Sequence, residues 1–290
     1  MASWKRRLTQ FAAALTSNAY FNGFLEGSIY RGSFKNVCVP GLNCYSCPGA
    51  IGACPIGSLQ ALAGSISFGF SFYIVGFLTL IGTIMGRLVC GWLCPFGFIQ
   101  ELLHKIPLHK VSMGRAVGFL KYLKYLVLII FVLILPALFV NEAGLGEPVF
   151  CKYICPAGTL EGGVPLLLLN ESLRQTAGYL FAWKLSLALL TVVASMIIFR
   201  PFCRFLCPLG AVYALFNRVS IYRLEVDEDR CIQCGTCQKT CKLEVKVYEK
   251  PNDPECIRCG ECIKACPNRA IGSGFFTIKY VKSNAIGDRR

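Results

Sequence analysis

The sequence predicts an all-α membrane bundle of about four helices, residues 1–219, followed by a small α+β domain, residues 220–290. Three observations predict it. The 290-residue chain is 54% hydrophobic and 16% charged, with a mean hydropathy of +0.53, more apolar than the roughly 45–50% of an ordinary soluble domain. Long apolar runs fill the chain as far as residue 200 and vanish after residue 220. The 18 cysteines fall in tight, recurring spacings. Low charge and high apolar content also exclude a disordered chain.

A helix that crosses a bilayer needs about 20 apolar residues. Segments 67–89, 119–140 and 178–199 meet that length in windows nearly free of charge. Pro136, inside the second, is tolerated in a membrane helix. Segment 8–30 is a fourth candidate, although it carries Asn18, Asn22 and Glu26. Loop charge favours counting it, because cytoplasmic flanks are rich in Lys and Arg. Lys5, Arg6 and Arg7 precede it; Arg87, Lys105, Lys110, Arg115, Lys121 and Lys124 lie between the next two spans; Arg200, Arg204 and Arg218 follow the last. The two remaining connections hold only Arg31, Lys35, Lys152, Arg174 and Lys184, beside five glutamates. Four spans with both termini in the cytoplasm of a prokaryotic cell follow from this asymmetry. Arg6-Arg7 resembles the start of a twin-arginine signal, but the apolar run at 11–15 is short and no A-x-A site follows, so the segment is read as retained.

The 220–290 segment contains one cysteine pattern twice: Cys231, Cys234, Cys237, Cys241 and then Cys256, Cys259, Cys262, Cys266-Pro267. Both are C-x2-C-x2-C-x3-C, the spacing of two-cluster bacterial ferredoxins, in which the fourth cysteine ligates the other cluster. One [4Fe–4S] cluster is therefore expected on Cys231, Cys234, Cys237 and Cys266, and a second on Cys256, Cys259, Cys262 and Cys241. Structural zinc fits poorly, since it takes four ligands in two separated pairs. One departure stands out: Cys241 is followed by Lys242 where such quartets usually have proline.

The other ten cysteines centre on a repeated C-P-x-G: Cys54-Pro55, Cys94-Pro95, Cys155-Pro156 and Cys207-Pro208, each with glycine two positions later. Proline after the cysteine suits the first turn of a helix, whose N-terminus then faces the thiol. Cys90, Cys151 and Cys203 stand four residues before three of these cysteines. Arg87-x-x-Cys90-x3-Cys94-Pro95 and Arg200-x-x-Cys203-x3-Cys207-Pro208 match at every marked position, and both fall at the predicted cytoplasmic face. A third cluster is expected on Cys90, Cys94, Cys203 and Cys207, with Arg87 and Arg200 either balancing its charge or snorkelling to the interface. A fourth, on the opposite face, would take Cys151 and Cys155 with two of Cys38, Cys44, Cys47 and Cys54. Cys54 is the repeat-matched ligand and Cys47 the next choice. Cys38 and Cys44 are lower candidates that could alternatively form a disulfide, and the four could also hold a cluster alone.

These paired C-x3-C-P motifs, Cys90/Cys94 and Cys203/Cys207, followed by a ferredoxin domain, resemble the NapH/NosR-like polyferredoxin membrane proteins over roughly residues 67–270. NapH-like proteins are quinol-oxidising subunits of periplasmic nitrate reductase systems. The resemblance implies electron transfer between quinone and iron–sulfur centres at the cytoplasmic membrane. The 38–54 cysteine group and Cys151/Cys155 are departures from that pattern.

The function expected is an electron-transfer subunit of a redox complex, passing electrons through [4Fe–4S] clusters between a quinone pool or membrane partner and a cytoplasmic donor or acceptor. It is a component of an oxidoreductase complex, not a stand-alone enzyme: no G-x-G-x-x-G or P-loop appears. Alternatives are a cluster-bearing redox sensor or maturation factor, and thiol–disulfide exchange through Cys38 and Cys44. Expected partners are other redox subunits, membrane lipid and quinone. The basic charge flanks membrane segments and makes no nucleic-acid motif. His104, His109 and Glu101 read as interface residues that could alternatively serve quinol protonation.

Overall fold

The computed structural model describes residues 2–65, 71–111, 115–141 and 145–276. Among the described residues, two helices are long and apolar enough to cross a membrane, Gly118–Leu138 and Tyr179–Ile197, with 21 and 19 residues. They correspond to the expected spans 119–140 and 178–199. Their outer faces are apolar and exposed, including Ile129, Leu133, Leu189, Leu190 and Val193, while Val127, Val132, Ala188 and Ser195 face inward. The first of these helices widens into a π-helical stretch at Leu128–Ile134, just before Pro136. Proline has no N–H for the preceding turn and its ring crowds that turn's carbonyl, which loosens the helical register there.

The other two expected spans are not continuous long helices. Within 67–89 the described helix is Phe72–Met85, 14 residues, about 21 Å at 1.5 Å per residue; the start of that expected segment lies outside the described residues. It stops at Gly86, whose φ of +53° breaks the helix. Segment 8–30 divides into Ala2–Ser17 and a short helix Asn22–Glu26. The break has a polar cause. The Asn18 side chain donates to Ala14 O and to Asn43 Oδ1, so it closes the first helix and ties it to the 38–54 loop. Glu26 is exposed and accepts from Ser28 Oγ. Arg6 and Gln10 are buried and both donate to Gly91 O, so the first helix packs along the bundle.

The C-P-x-G repeats become short half-helices. Pro55–Gly64, Pro95–Leu103 and Pro208–Phe216 each begin with the proline, and the cysteine before it is the extended N-cap. Helices Leu88–Trp92, Val149–Tyr153 and Pro201–Phe205 precede three of the four repeats. The two matched halves meet where Phe96 packs edge-on against Phe202 at 5.3 Å.

Residues 220–276 form a two-stranded antiparallel sheet, β1 (Arg223–Val226) against β2 (Ile271–Gly274), paired from Arg223↔Gly274 to Val226↔Ile271. Two short helices, Thr236–Thr240 and Glu261–Ala265, lie between, each entered through a glycine at positive φ, Gly235 (+70°) and Gly260 (+80°). This unit is packed into the bundle. Ile221 and Tyr222 N–H donate to Thr83 and Ile84 carbonyls, and Arg258 donates to Met85 O and Asn217 O. The Asn217 side chain donates to Asp253 O and Cys256 O. One hydrophobic core runs from Cys38 through Cys90 to Ile271.

Gly91 marks the tightest approach. A Cβ built on it would lie 2.2 Å from Ile257 O, which no side chain can occupy. Overpacking of this kind costs about 1–3 kcal/mol. Gly91→Val is expected to lift the 254–258 loop and speed proteolytic release of the 220–276 unit; an unchanged digestion rate would refute the close contact.

Candidate functional site

Each C-P-x-G element aims one backbone N–H at its thiol. Gly97 N donates to Cys94 Sγ and Gly210 N to Cys207 Sγ, both at 3.4 Å. Gly57 and Gly158 N–H groups bear in the same way on Cys54 and Cys155. Proline supplies the fixed φ of the first helical turn, and the glycine supplies room. A Cβ at Gly97 would meet an Arg200 guanidinium nitrogen at 3.0 Å, and one at Gly210 an Arg87 nitrogen at 3.6 Å. Gly97 therefore lets Arg200 of the opposite half approach, whereas a side chain at position 210 would meet Arg87 only at ordinary contact distance.

Cys90, Cys94, Cys203 and Cys207 come together. Cys203 and Cys90 both bear electrostatically on Cys94, and all three bear on Cys207. All four are buried. Burial, with the Cys203 and Cys90 sulfurs nearby, pushes the Cys94 thiol up to about 12. Without countercharge these four sulfurs cannot all ionise. Gln100 Nε2 donates to Cys203 Sγ at 3.1 Å.

The countercharge is supplied reciprocally. Arg87 donates to Cys203 O at 3.2 Å, and Arg200 donates to Cys90 O. Each arginine is held by a buried carboxylate that also carries a second cation. Glu255 accepts from Arg87 at 2.8 Å and from Lys124. Glu101 pairs with Arg200 at 2.8 Å and with Arg6 at 2.7 Å. Each triad is net positive, and the two flank the quartet. The sequence singled out Arg87 and Arg200; Glu255, Lys124 and the pairing of Glu101 with Arg6 were not foreseen.

A second group forms around Cys44, Cys54, Cys151 and Cys155. Cys151, Cys44 and Cys54 all bear on Cys155, and Cys151 and Cys44 on Cys54. Cys44 Sγ lies 3.8 Å and 3.3 Å from where Cβ atoms would stand on Gly158 and Gly162, so it faces the turn after Cys155. Burial and the Glu161 carboxylate push its thiol up to about 12. Cys47, the expected second ligand from the loop, lies near Cys44 and Lys35. Cys38 stands apart, 3.4 Å from Ser58 Oγ. All 18 cysteines are free thiols, so Cys38 and Cys44 form no disulfide. Gln60 Nε2 donates to Cys151 Sγ at 3.1 Å, as Gln100 does to Cys203. Both glutamines lie six residues after a C-P-x-G cysteine, a periodic signal that sequence reading missed.

In the 220–276 unit, Cys241, Cys256 and Cys259 bear on Cys262. Cys231, Cys234, Cys237 and Cys266 line one cavity with Ile232 and Tyr248. Burial pushes Cys256 up to about 12. Among the described residues, no three Cys, His, Asp or Glu side chains are close enough to share a single metal ion. Sulfurs grouped in fours, with N–H donors aimed at them, form a donor set that fits [4Fe–4S] binding.

The Glu255 triad links two of these groups, because Glu255 adjoins Cys256 while Arg87 touches Cys203 O. Glu255→Gln leaves Arg87 and Lys124 buried without their carboxylate, a change that costs about 3–5 kcal/mol. Faster hydrogen exchange across residues 253–258 is expected; exchange at the wild-type rate would refute the anchoring role.

Residues 67–114, 124–166 and 180–223 match a family described as a 4Fe-4S binding domain, and residues 251–272 match a second family of the same description. Two Methanocaldococcus jannaschii proteins, MJ0749 and MJ0750, are 33% and 30% identical over 171 and 188 residues. These alignments cover 59% and 61% of this chain, and 57% and 68% of the relatives' lengths. The regulatory protein NosR of Pseudomonas aeruginosa is 27% identical over 161 residues, 53% of this chain and 20% of NosR. No solved structure matches. With the cysteine repeats, the ferredoxin-type quartets and these relatives together, the chain belongs to the NapH/NosR-like polyferredoxin family.

Proposed function

We propose that this chain is a membrane-bound electron-transfer subunit with four [4Fe–4S] sites. The ligand sets are Cys231, Cys234, Cys237, Cys266; Cys241, Cys256, Cys259, Cys262; Cys90, Cys94, Cys203, Cys207; and Cys44, Cys54, Cys151, Cys155. When bound, such clusters supply one-electron chemistry at potentials set by charge, hydrogen bonds and burial. Residues 220–290 form the cytoplasmic unit and residues 1–219 the membrane unit, with both termini cytoplasmic. Its electron donor and acceptor are other redox subunits or a quinone.

The observation that carries this reading is the continuity of the cysteine groups. Gly91, next to Cys90, touches Ile257, next to Cys256. On the other side, a Cβ on Gly41 would lie 2.9 Å from Cys94 Cα, so the loop between Cys38 and Cys44 reaches the Cys90/Cys94 group. Buried Tyr213 donates to Pro40 O at 2.9 Å. Its hydroxyl lies within electrostatic reach of Cys90 and Cys94, and also of Cys38 and Cys54. The chain's own residues thus hold the quartets in sequence, exclude water between them and fix their separations.

Anaerobically purified protein tests the reading through iron, sulfide and EPR. About 16 iron atoms per chain are expected, and a value near 8 would leave only the ferredoxin unit. Cys44→Ser is expected to drop the count to about 12, whereas Cys47→Ser keeps about 16. The reverse result would reassign the fourth ligand.

A further inference from the structure

Lys242, the residue standing where a ferredoxin quartet usually has proline, lines a cavity of about 330 Å³. That volume is within the usual range for small-molecule sites, roughly 300–1,000 Å³. The cavity lies between the first helix, the end of helix Pro95–Leu103 and the loop after Cys241. Cys241 and Cys259 form part of its wall.

The lining is strongly cationic. Arg7, Lys105 and Lys242 contribute charge, and none has a carboxylate ion-pair partner among the described residues. The two carboxylates in the wall are already engaged, Glu101 with Arg6 and Arg200, and Glu261 with Lys264 at 3.5 Å. Buried Arg6 also lines the cavity, and its Nε has no hydrogen-bond partner. One wall is aromatic. The Phe199 ring has Lys242 Nζ 5.2 Å from its centroid and the His104 ring edge-on at 5.4 Å.

We infer that this cavity binds a small anion bearing sulfonate, carboxylate or phosphate groups. Three cations without carboxylate partners favour negative charge, and Phe199, its ring already carrying Lys242 and Arg200, holds Lys242 at the cavity wall. The same lining disfavours a neutral or cationic molecule, which would leave the cations uncompensated. A ligand here lies against two of the four thiols of the Cys241, Cys256, Cys259, Cys262 set. Its role as an electron-exchange site therefore rests on the cluster assignment proposed above, whereas its existence as an anion site does not.

The test is equilibrium dialysis of a naphthalene disulfonate against the full holoprotein, with methyl viologen as the cationic counterpart. Iron is measured on the same samples. Saturable binding of the disulfonate and no binding of the viologen are expected. Lys242→Ala should weaken binding about tenfold or more, the effect of losing one charge-assisted contact, and Lys242→Arg should retain it. Lys250→Ala, a lysine of the same unit outside the cavity, should leave binding unchanged. Absence of saturable binding, equal binding by Lys242→Ala, or equal binding of the viologen would each overturn the inference. A low iron count with intact, Lys242-dependent binding would instead remove the cluster assignment and leave the anion site standing.

Discussion

Bringing four thiols into one buried space is the constraint on which the centre of this molecule depends. Cys90, Cys94, Cys203 and Cys207 are all out of water, where a cluster on four thiolates would carry roughly −2. The countercharge comes from two arginines that are themselves buried, and so need carboxylates, which in turn hold Lys124 and Arg6. Each layer offsets the charge of the one inside it. A buried ion network of this kind adds little net stability. It fixes geometry: Arg87 reaches from one half to Cys203 O and Arg200 reaches back to Cys90 O, so neither half can rotate without breaking the other's bond.

This network explains why the ferredoxin-type unit is docked and not tethered. Glu255 belongs to that unit and sits at the centre of one triad, and Asn217, from the helix after Cys207, spans Arg87 N, Asp253 O and Cys256 O. Gly91 then lets Ile257 come closer than any side chain permits. Polar anchoring and close backbone approach act at the same spot.

Local ligand spacing made part of the site legible in the sequence. Three of four thiols in each ferredoxin quartet lie within seven residues, so their grouping follows from chain geometry. The Cys90/Cys94/Cys203/Cys207 group was also readable, because Arg87 and Arg200 repeat with their cysteines. Cys44 was not. It lies outside the repeat, and its place beside the Cys155 turn depends on where the 38–54 loop meets Gly158 and Gly162, contacts more than a hundred residues away. Glu255 and Tyr213 were missed for the same reason. The 8–30 segment shows the opposite failure: loop charge favoured a span although Asn18 was in view, and that residue's two side-chain bonds end the helix at Ser17. The formal charge of +14 also misleads when read alone, since four clusters at roughly −2 each would bring the loaded chain to about +6.

The half-helices bear on how charge would travel through such a chain. A hydrocarbon core of about 30 Å is long for a single hop. Two of the expected spans are interrupted, and that interruption is what brings the cysteine groups toward one another. Gly86 ends its helix so that Arg87 and Cys90 can follow at once, and the 38–44 loop folds inward until Gly41 meets Cys94. The separation between the Cys90/Cys94 group and the Cys54 group is then set by protein packing, through buried Leu42 and Tyr213, and not by bilayer thickness. The breaks in the helices are therefore as much a part of the site as the thiols they carry.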